Sequence, residues 1–319
     1  MHEFQLIKKY FSKLSQYNSN SLNLNDDVFF DKENKLVVSV DTYIEGVHFI
    51  NFKKPDLVIK KILRSSISDL ICKGVVPRYY FIAGSGNKKT FSPTNLKKIS
   101  KSLKEEQKKY NIFLCGGDTV FSNKLSFSIT SVGFSHKIIK RNNAKLNDDI
   151  YVTGNLGDSF AGLKILKKKI TTSKYFKEFF EKKYYLPNLH LKLTKKLLSF
   201  ANTSIDLSDG LISDLEKLIN NQRLSYKLYL ESVPISKNLK KLISLKKMNK
   251  KSFISKGDDY QILFTARPTK SRIIKKTSKS LGINISKIGK ICSYSLKSQV
   301  IDQKGKKIAI KSKGYYHNF

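Results

Sequence analysis

The spacing of apolar residues divides the first 140 positions into strand-like and helix-like segments. Alternating or continuous apolar runs of strand length occur in "DVFF", "KLVVSVDTYI", "RYYFIAGSG", "NIFLCGGDT" and "KLSFSITSVGFS". Apolar residues three and four positions apart, the spacing of an amphipathic helix, occur in "EFQLIKKYF", "PDLVIKKILRSSISDLICKG" and "SPTNLKKISKSLKEEQKKY". Because the two kinds of segment are interleaved, this part of the chain is predicted to be an α/β domain.

A second unit with the same mixed pattern begins near residue 141. A strand, a glycine-containing turn and a helix are predicted in both "DDIYVTGNLGDSFAGLKIL" and "SIDLSDGLISDLEKLI". Short strands are predicted further on, in "QILFTARP", "ISKIGKIC" and "KKIAIKS". A chain of 319 residues is long enough for two domains. We therefore predict an α/β (α+β) fold with domains at residues 1–140 and 141–319.

The charge of the chain is strongly positive, with 61 lysines and arginines against 25 aspartates and glutamates. A net charge of +36 is typical of proteins that bind nucleic acid. Only six of the basic residues are arginines, and the lysines are spread along the chain. Since arginine is the residue type whose planar donors read bases and phosphates, the charge indicates a solvated surface and no specific nucleic-acid partner. A lysine-rich nucleic-acid-binding protein remains the non-enzyme alternative.

The cysteines and the apolar runs indicate a protein of the cytoplasm. Cys72, Cys115 and Cys292 are widely spaced and include no Cys-x-x-Cys pair, which fits a reducing compartment. The first residues carry no apolar block of the kind found in secretory signals, and no run of 18 apolar residues occurs in the sequence. We therefore expect a cytoplasmic protein without a membrane partner.

Carboxylates recur at the ends of predicted strands and in turns, although acidic residues are few. If the fold gathers several of them, their mutual repulsion raises their pKa values unless divalent cations neutralise them. Magnesium fits such a site because it binds carboxylate oxygens and leaves positions for water and phosphates, whereas the sequence has no calcium-loop spacing and no clustered His or Cys. The acids in question are Asp26, Asp27, Asp41, Asp69, Asp118, Asp206 and Asp209.

No Walker-type phosphate loop is present in the sequence. The closest segment, "AGSGNKKT", has Ala83 at the first glycine position and Lys88 at the second. The glycines of "CGGDT", Gly116 and Gly117, are open to two interpretations, an ordinary turn or a place where a ligand approaches the backbone. A nucleotide would therefore be held through metal-bridged phosphates and backbone turns of this kind.

The ordered series of motifs resembles the thiamine-monophosphate kinase family, of the superfamily that includes aminoimidazole-ribonucleotide synthetase and selenophosphate synthetase. The similar stretches span almost the whole chain: "EFQLI", "NDDV", "SVDTYIEGVHF", "SISDLICKGVVP", "CGGDT", "DDIYVTGNLGDSFAGL", "IDLSDGLISDL", "KGDDYQILFT", "IGKI" and "KGYYHNF". The resemblance implies a two-domain aminoimidazole-ribonucleotide synthetase-like fold. It also implies a homodimer whose N-terminal sheets pair into a shared barrel.

The activity implied by the resemblance is magnesium-assisted, direct in-line transfer of the γ-phosphoryl group of ATP to thiamine monophosphate, giving thiamine diphosphate. Another ATP-dependent enzyme of the same superfamily is the enzymatic alternative. By the same resemblance, magnesium positions fall on Asp27, Ser39, Val40, Asp41, Asp69, Asp118, Asp206 and Asp209. ATP positions fall on Tyr110, Gly117, Asp118, Arg141 and Ser208. Thiamine-phosphate positions fall on His48, Asp258 and Phe319. The implied catalytic residues are Asp41, Asp118 and Arg141.

Four positions depart from the pattern of the family. Asn25 replaces the Gly before the acid pair, and Val40 replaces a hydroxyl residue, so that only its backbone carbonyl is left as a ligand. Asp258 replaces the Glu of the "GGEDY" motif and is one methylene shorter. Asn318 is an extra residue that shifts the alignment of Phe319 by one position.

Overall fold

The computed structural model describes residues 3–310 and 314–315. Over these residues the predicted α/β class is confirmed, since two β-sheets are packed with α-helices. None of the described helices combines the length and the apolar character needed to cross a lipid bilayer. The α-helices are α1 (Glu3–Leu6), α2 (Pro55–Cys72), α3 (Pro93–Tyr110), α4 (Asp158–Leu166), α5 (Lys174–Tyr185), α6 (Thr194–Leu197), α7 (Leu211–Leu218), α8 (Lys237–Leu245), α9 (Lys251–Ile254) and α10 (Ser271–Leu281).

The first sheet has five strands, β1 (Phe29–Asp31), β2 (Leu36–Ile44), β3 (Pro77–Gly86), β4 (Phe113–Phe121) and β5 (Ser126–Phe134). Their order is β1-β2-β5-β3-β4, and the β3–β4 pair is parallel whereas the others are antiparallel. The strand β1 pairs with β2 only as far as Val38. The outer edge of β2 from residue 39 to residue 44 therefore faces no other described strand, and β4 forms the opposite edge of the sheet.

The two glycines of β4 serve the sheet itself. The strand continues through them, so the interpretation of "CGGDT" as an ordinary turn is wrong. The pairing with β3 skips Cys115 just before Gly116, which is a β-bulge. A Cβ on Gly117 would lie 1.8 Å from the carbonyl oxygen of Ile82. The close approach of two strands thus explains why glycine is required here.

The second sheet has six strands, β6 (Asp149–Thr153), β7 (Thr203–Asp206), β8 (Leu224–Tyr229), β9 (Ile262–Ala266), β10 (Ile285–Ser293) and β11 (Gln299–Ile301). Their order is β11-β8-β10-β6-β9-β7, with only the β11–β8 pair parallel. The predicted strand "KKIAIKS" is wrong over its described residues, where Lys307 forms a single isolated bridge with Ile301. The strands β8 and β11 were not predicted.

The helix α2 connects the two sheets. It begins at Pro55, a residue suited to a first helical turn because it has no N–H to leave unpaired. It packs against β2 and β5 of the first sheet and reaches β7 of the second. One core cluster accordingly runs from Tyr43 on β2 through Ile62 on α2 to Phe264 on β9. The domain boundary near residue 140 remains a prediction, because the two units share this core.

Candidate active site

Three carboxylates from distant parts of the sequence meet where α2 approaches β7. Asp27 lies just before β1, Asp69 lies in the last turn of α2, and Asp206 ends β7. One carboxylate oxygen of each lies within 4.8 Å of those of the other two. All three were predicted from the sequence as magnesium ligands, and the fold brings them to one place.

Burial and mutual repulsion raise the pKa values of this acid cluster. Removal from water raises the pKa of Asp206 to about 7, and the charges of Asp214 and Asp41 act in the same direction. Burial likewise raises the pKa of Asp41 to about 6. Burial, followed by the charges of Asp41 and Asp206, raises the pKa of Asp69 well above its ordinary value. The negative charge of these buried carboxylates is therefore not fully compensated by the groups around them.

The donor set of the cluster fits a hard divalent cation. Asp206 Oδ2 is buried and has no hydrogen-bond partner among the described residues. A buried, unpaired carboxylate oxygen is costly unless a cation or a donor meets it. All the ligand atoms here are oxygens, which Mg²⁺ and Ca²⁺ prefer and softer metals do not.

Two cations hold the acidic pair that precedes β1. Lys73 Nζ lies 2.8 Å from Asp26 Oδ1 and 2.7 Å from Asp27 Oδ2. The guanidinium of Arg141 forms an ion pair with Asp27, and its backbone N–H donates to Asp26 Oδ2 at 2.8 Å. Arg141, a predicted catalytic and ATP-binding residue, is thus placed beside the acid cluster.

Two hydroxyl groups of β2 lie between the strand and α2. Ser39 Oγ donates to the Ser66 carbonyl oxygen at 3.4 Å, and the Tyr43 hydroxyl donates to Asp41 Oδ2 at 3.2 Å. Side chains alternate between the two faces of a strand, so Ser39, Asp41 and Tyr43 point towards α2. Val40 points to the opposite face, where its side chain is 65% exposed, and its predicted ligand is a backbone atom only.

The turn after β7 brings two further predicted residues close together. Asp209 forms an ion pair with Lys217, and its backbone N–H donates to Asp214 Oδ2 at 3.0 Å. The carbonyl oxygen of Ser208 accepts the Asp258 N–H at 2.8 Å. The turn that carries the predicted ATP ligand therefore touches the loop that carries a predicted acceptor ligand.

The two described acceptor residues have polar partners of their own. His48 Nδ1 accepts the Ile44 N–H at 3.0 Å, which shapes the loop after β2. Asp258 accepts a hydrogen bond from Ser159 Oγ at 3.2 Å and one from Lys61 Nζ at 2.5 Å. Asp258 also has a φ of +74°, a conformation that is uncommon for residues other than glycine and is found preferentially at functional sites.

The residues of β4 do not join the acid cluster within one chain. Across the sheet, Asp118 on β4 pairs with Ala83 on β3. Ala83 pairs with Ser128 on β5, and Ser128 pairs with Thr42 on β2. Three strand spacings place Asp118 about 14 Å from β2, and Gly117 lies beside it on the same strand. Tyr110, at the end of α3, is buried with its ring against Arg64.

Phe319 lies outside the described residues. Four positions earlier, the Tyr315 N–H donates to the Asp209 carbonyl oxygen at 3.0 Å. The C-terminal segment therefore passes the edge of the site at this point.

Several residues of the site were not predicted from the sequence, because its lysines were assigned to a solvated surface. Lys61, in the second turn of α2, and Lys73, directly after its last residue, are buried, and both pair with carboxylates. The signal was available in the sequence. Lys61, Ser65 and Asp69 recur every four residues and so place polar groups on one face of a largely apolar helix.

Comparisons with known proteins show which family the chain is similar to. Residues 25–135 match the family described as "AIR synthase related protein, N-terminal domain". The chain is 33% identical to the thiamine-monophosphate kinase of Buchnera aphidicola subsp. Acyrthosiphon pisum, over 99% of this chain and 98% of that protein. It is 33% identical to that of Haemophilus influenzae, over 91% and 89%. Among solved structures, AaThiL complexed with AMPPCP and TMP is similar with a TM-score of 0.85 and 25% identity, over 99% of this chain and 97% of that one.

The two-sheet fold and the match of its N-terminal part define a protein of the AIR synthase related class. With 33% identity along nearly its whole length, the chain belongs to the thiamine-monophosphate kinase family and is an enzyme of that kind. The family resemblance drawn from the motifs is confirmed.

Proposed function

We propose that the chain transfers the γ-phosphoryl group of ATP to thiamine monophosphate, giving ADP and thiamine diphosphate. The names of its relatives and the AMPPCP and TMP of the similar solved structure support this reaction. The observation in the chain itself that carries the proposal is the acid cluster of Asp27, Asp69 and Asp206, which offers oxygen ligands for the cations that two approaching phosphates require.

Magnesium is the proposed cofactor of the acid cluster. Asp27, Asp69 and Asp206 would hold it, with Asp41 beside them. The unpartnered Asp206 Oδ2 and the raised pKa values of Asp41 and Asp206 support this assignment. When bound, magnesium neutralises charge on the phosphates and polarises the phosphoryl group that is transferred.

The reaction requires alignment more than proton transfer. An oxygen of the acceptor phosphate forms a bond to the γ-phosphorus while the bond to the β–γ bridging oxygen breaks, and that electron pair leaves with ADP. Because the acceptor phosphate is already ionised, no strong general base is needed. Arg141 supplies a planar set of donors suited to phosphate oxygens, and Lys73 orients the carboxylates of Asp26 and Asp27.

A homodimer is the proposed assembly. The first sheet has two open edges, at β4 and at β2 beyond Val38, and open edges invite pairing with another strand. Apolar side chains more than a third exposed lie on β2, on β4 and on the two strands between them, and they are Val40, Tyr79, Phe81, Phe113, Leu114, Val120, Phe121 and Phe134. In such a dimer, β4 of each copy would pair with β2 of the other copy. The two pairings would cover the exposed apolar side chains and close the two sheets into one barrel.

Such a dimer would account for the position of Asp118. Within one chain Asp118 lies three strands away from Thr42. In the proposed barrel the strand β4 of one copy lies next to β2 of the other. Asp118 of the partner subunit would then complete the metal and ATP site next to Asp41.

Other ATP-dependent reactions of the superfamily are distinguished by the acceptor. Thiamine monophosphate, formylglycinamidine ribonucleotide and selenide are offered in turn to the purified protein with ATP and magnesium, and ADP release is followed. We expect release with thiamine monophosphate only. Release with either of the other acceptors, and none with thiamine monophosphate, would show that the acceptor has been assigned wrongly.

Replacing His48 with Ala should weaken acceptor use more than ATP use. The imidazole lies next to Tyr43, whose hydroxyl bonds to Asp41, so we propose that it contacts the acceptor phosphate. A lost hydrogen bond to a charged group corresponds to about a 10- to 100-fold higher KM for thiamine monophosphate. The control is His48→Asn, which can still accept the Ile44 N–H. Equal losses for both substrates, with a lowered Tm, would assign His48 to loop packing alone.

Stability of the metal-free protein should fall as the pH rises. In the unfolded chain aspartates release their protons near pH 4, whereas Asp41 and Asp206 do so at about 6 and about 7 in the folded protein. Between these values the folded state binds more protons than the unfolded state, so its stability decreases with rising pH. Thermal melts in chelator should show a lower Tm at about pH 8 than at about pH 5, and magnesium should raise Tm more at the higher pH. A magnesium effect that does not change with pH would contradict this.

A further inference from the structure

The helix α2 presents a polar line that runs away from the acid cluster. Lys61, Ser65 and Asp69 are four residues apart and therefore lie along one face of the helix. Asp69 belongs to the acid cluster, and Ser65 Oγ donates to the Lys61 carbonyl oxygen at 3.0 Å. Eight residues of α-helix place Lys61 about 12 Å from Asp69. The line thus connects the acid cluster, where the phosphates are proposed to bind, to a second polar site around Lys61, closer to the N-terminus of α2.

Lys61 is buried at the far end of this line. Its side chain is 2% exposed, and its Nζ lies 2.5 Å from Asp258 Oδ1 and donates to the Tyr184 carbonyl oxygen at 3.1 Å. The Nζ also lies 4.0 Å from the centroid of the Tyr184 ring and 5.8 Å from that of Tyr260. Asp258, in contrast, is 23% exposed. In this ion pair the Lys61 ammonium group is buried, whereas the Asp258 carboxylate remains accessible to solvent and to a ligand.

The loop that carries Asp258 is held in an unusual conformation. Both Asp258 and Tyr260 have positive φ values, +74° and +50°. Between them, Asp259 accepts the Gly157 N–H at 2.7 Å and the Ser159 N–H at 3.3 Å, at the start of α4. With Asp259 anchored to the start of α4, the side chains of Asp258 and Tyr260 on either side of it both lie near Lys61 Nζ. Strained backbone of this kind persists where the surroundings enforce it, and it clusters at ligand sites.

We propose that Lys61 is a positioning residue for the acceptor, holding the Asp258 carboxylate where it accepts hydrogen bonds from the amino-bearing pyrimidine ring of thiamine monophosphate. The inference rests on the proposed function and deepens it by naming the residue pair that recognises the end of the acceptor remote from its phosphate. Each carboxylate oxygen has two lone pairs, so Asp258 can accept from a ligand while it is bound to Lys61 and Ser159.

The short side chain of Asp258 makes this support necessary. An aspartate reaches one methylene less far than the glutamate of the family's "GGEDY" motif, so its carboxylate must be held in a defined position to reach the same ligand. Lys61 Nζ and Ser159 Oγ both donate hydrogen bonds to the Asp258 carboxylate and fix its position. Tyr260, whose ring centroid lies 5.8 Å from Lys61 Nζ, offers an aromatic surface beside Asp258.

The test compares Lys61→Met with Lys60→Met. Methionine keeps the unbranched stem and removes the charge. Lys60 is the adjacent lysine of α2, and it pairs with Glu105 on the outer side of the helix. Lys61→Met should raise KM for thiamine monophosphate about 10- to 100-fold with a nearly unchanged KM for ATP, and Lys60→Met should change neither. An equal rise for both substrates would overturn the proposal.

A truncated acceptor separates recognition from general damage. Hydroxyethylthiazole phosphate carries the phosphate and the thiazole ring and lacks the pyrimidine. Unmodified protein and Lys61→Met should use it equally well, because the contact made through Asp258 is absent in both cases. If the variant loses as much activity with the truncated acceptor as with thiamine monophosphate, Lys61 acts on the fold and the proposal fails.

A double-mutant cycle shows whether Lys61 acts through Asp258. Lys61→Met, Asp258→Asn and the double variant should have nearly the same KM for thiamine monophosphate, because the second change removes nothing further. Additive losses would overturn the proposal. Should Lys61→Met fail to fold, Lys61→Gln, which keeps a donor for the Tyr184 carbonyl, is subject to the same two outcomes. If the unmodified protein does not phosphorylate thiamine monophosphate, it is the proposed function that fails.

Discussion

Replacing Asp206 with Asn is expected to lower kcat about 100- to 1000-fold, as removal of one charge-stabilising group from a preorganised site does, while raising the Tm of the metal-free protein. Asp206 is buried at the end of β7, and its Oδ2 has no partner among the described residues. Neutralising it removes a charge that folding must desolvate, so the fold gains stability. The same change removes a proposed magnesium ligand, so turnover is expected to fall. A residue that is only structural would not show these opposite effects.

Asp148→Asn is the matched control for Asp206→Asn. Asp148 is equally buried and belongs to the same unit, but its carboxylate accepts hydrogen bonds from Asn202, from Thr265 Oγ1 at 2.8 Å and from the Lys145 N–H at 2.9 Å. Asparagine cannot accept all of them, so Tm should fall and kcat should be kept. Thermal melts and initial rates at saturating magnesium check both variants. Ordinary turnover by Asp206→Asn would remove Asp206 from the site.

Two inactive variants should restore each other's activity if the site is shared between two chains. Asp118→Asn damages what a chain supplies to its partner, and Asp206→Asn damages what it supplies to itself. In a mixed dimer one site then receives both intact residues and the other receives neither. Random mixing makes half of the dimers mixed, and one of the two sites in each mixed dimer is intact. About a quarter of the normal activity should therefore return.

The control for complementation pairs two variants of the same acid cluster. Asp69→Asn mixed with Asp206→Asn leaves one damaged residue in every cluster, so no activity should return. Mixed dimers are isolated by two different affinity tags, and their rates are compared with those of each variant alone. Mixed Asp118→Asn and Asp206→Asn dimers that form but remain inactive would contradict a site shared across the barrel.

Three of the predicted acids, Asp27, Asp69 and Asp206, meet in the fold, and they stand at or near the ends of strands and helices. Asp206 ends β7 and Asp69 lies in the last turn of α2, and both elements were predicted with the correct type. The strand β4 shows the limit of this reasoning. Its glycines are typical of turns, and only the neighbouring strand β3, which leaves no room for a Cβ on Gly117, explains why the strand continues.

Pairings between residues that are far apart in the sequence could not be predicted. Lys61 and Asp258 are far apart in sequence and meet only because α2 packs against the second unit. In a chain with so many solvated lysines, composition gives no reason to separate the buried ones. Asp118 illustrates a related limit, since its distance from the acid cluster follows from the order of the strands and not from its motif.

The most direct test of the account is the stoichiometry of the reaction catalysed by the purified protein. ADP and thiamine diphosphate are measured together, with and without thiamine monophosphate, in magnesium and in chelator. We expect one thiamine diphosphate for each ADP, no ADP release without the acceptor, and no reaction in chelator. ADP release that does not depend on thiamine monophosphate, or that proceeds without forming thiamine diphosphate, would contradict the proposed function.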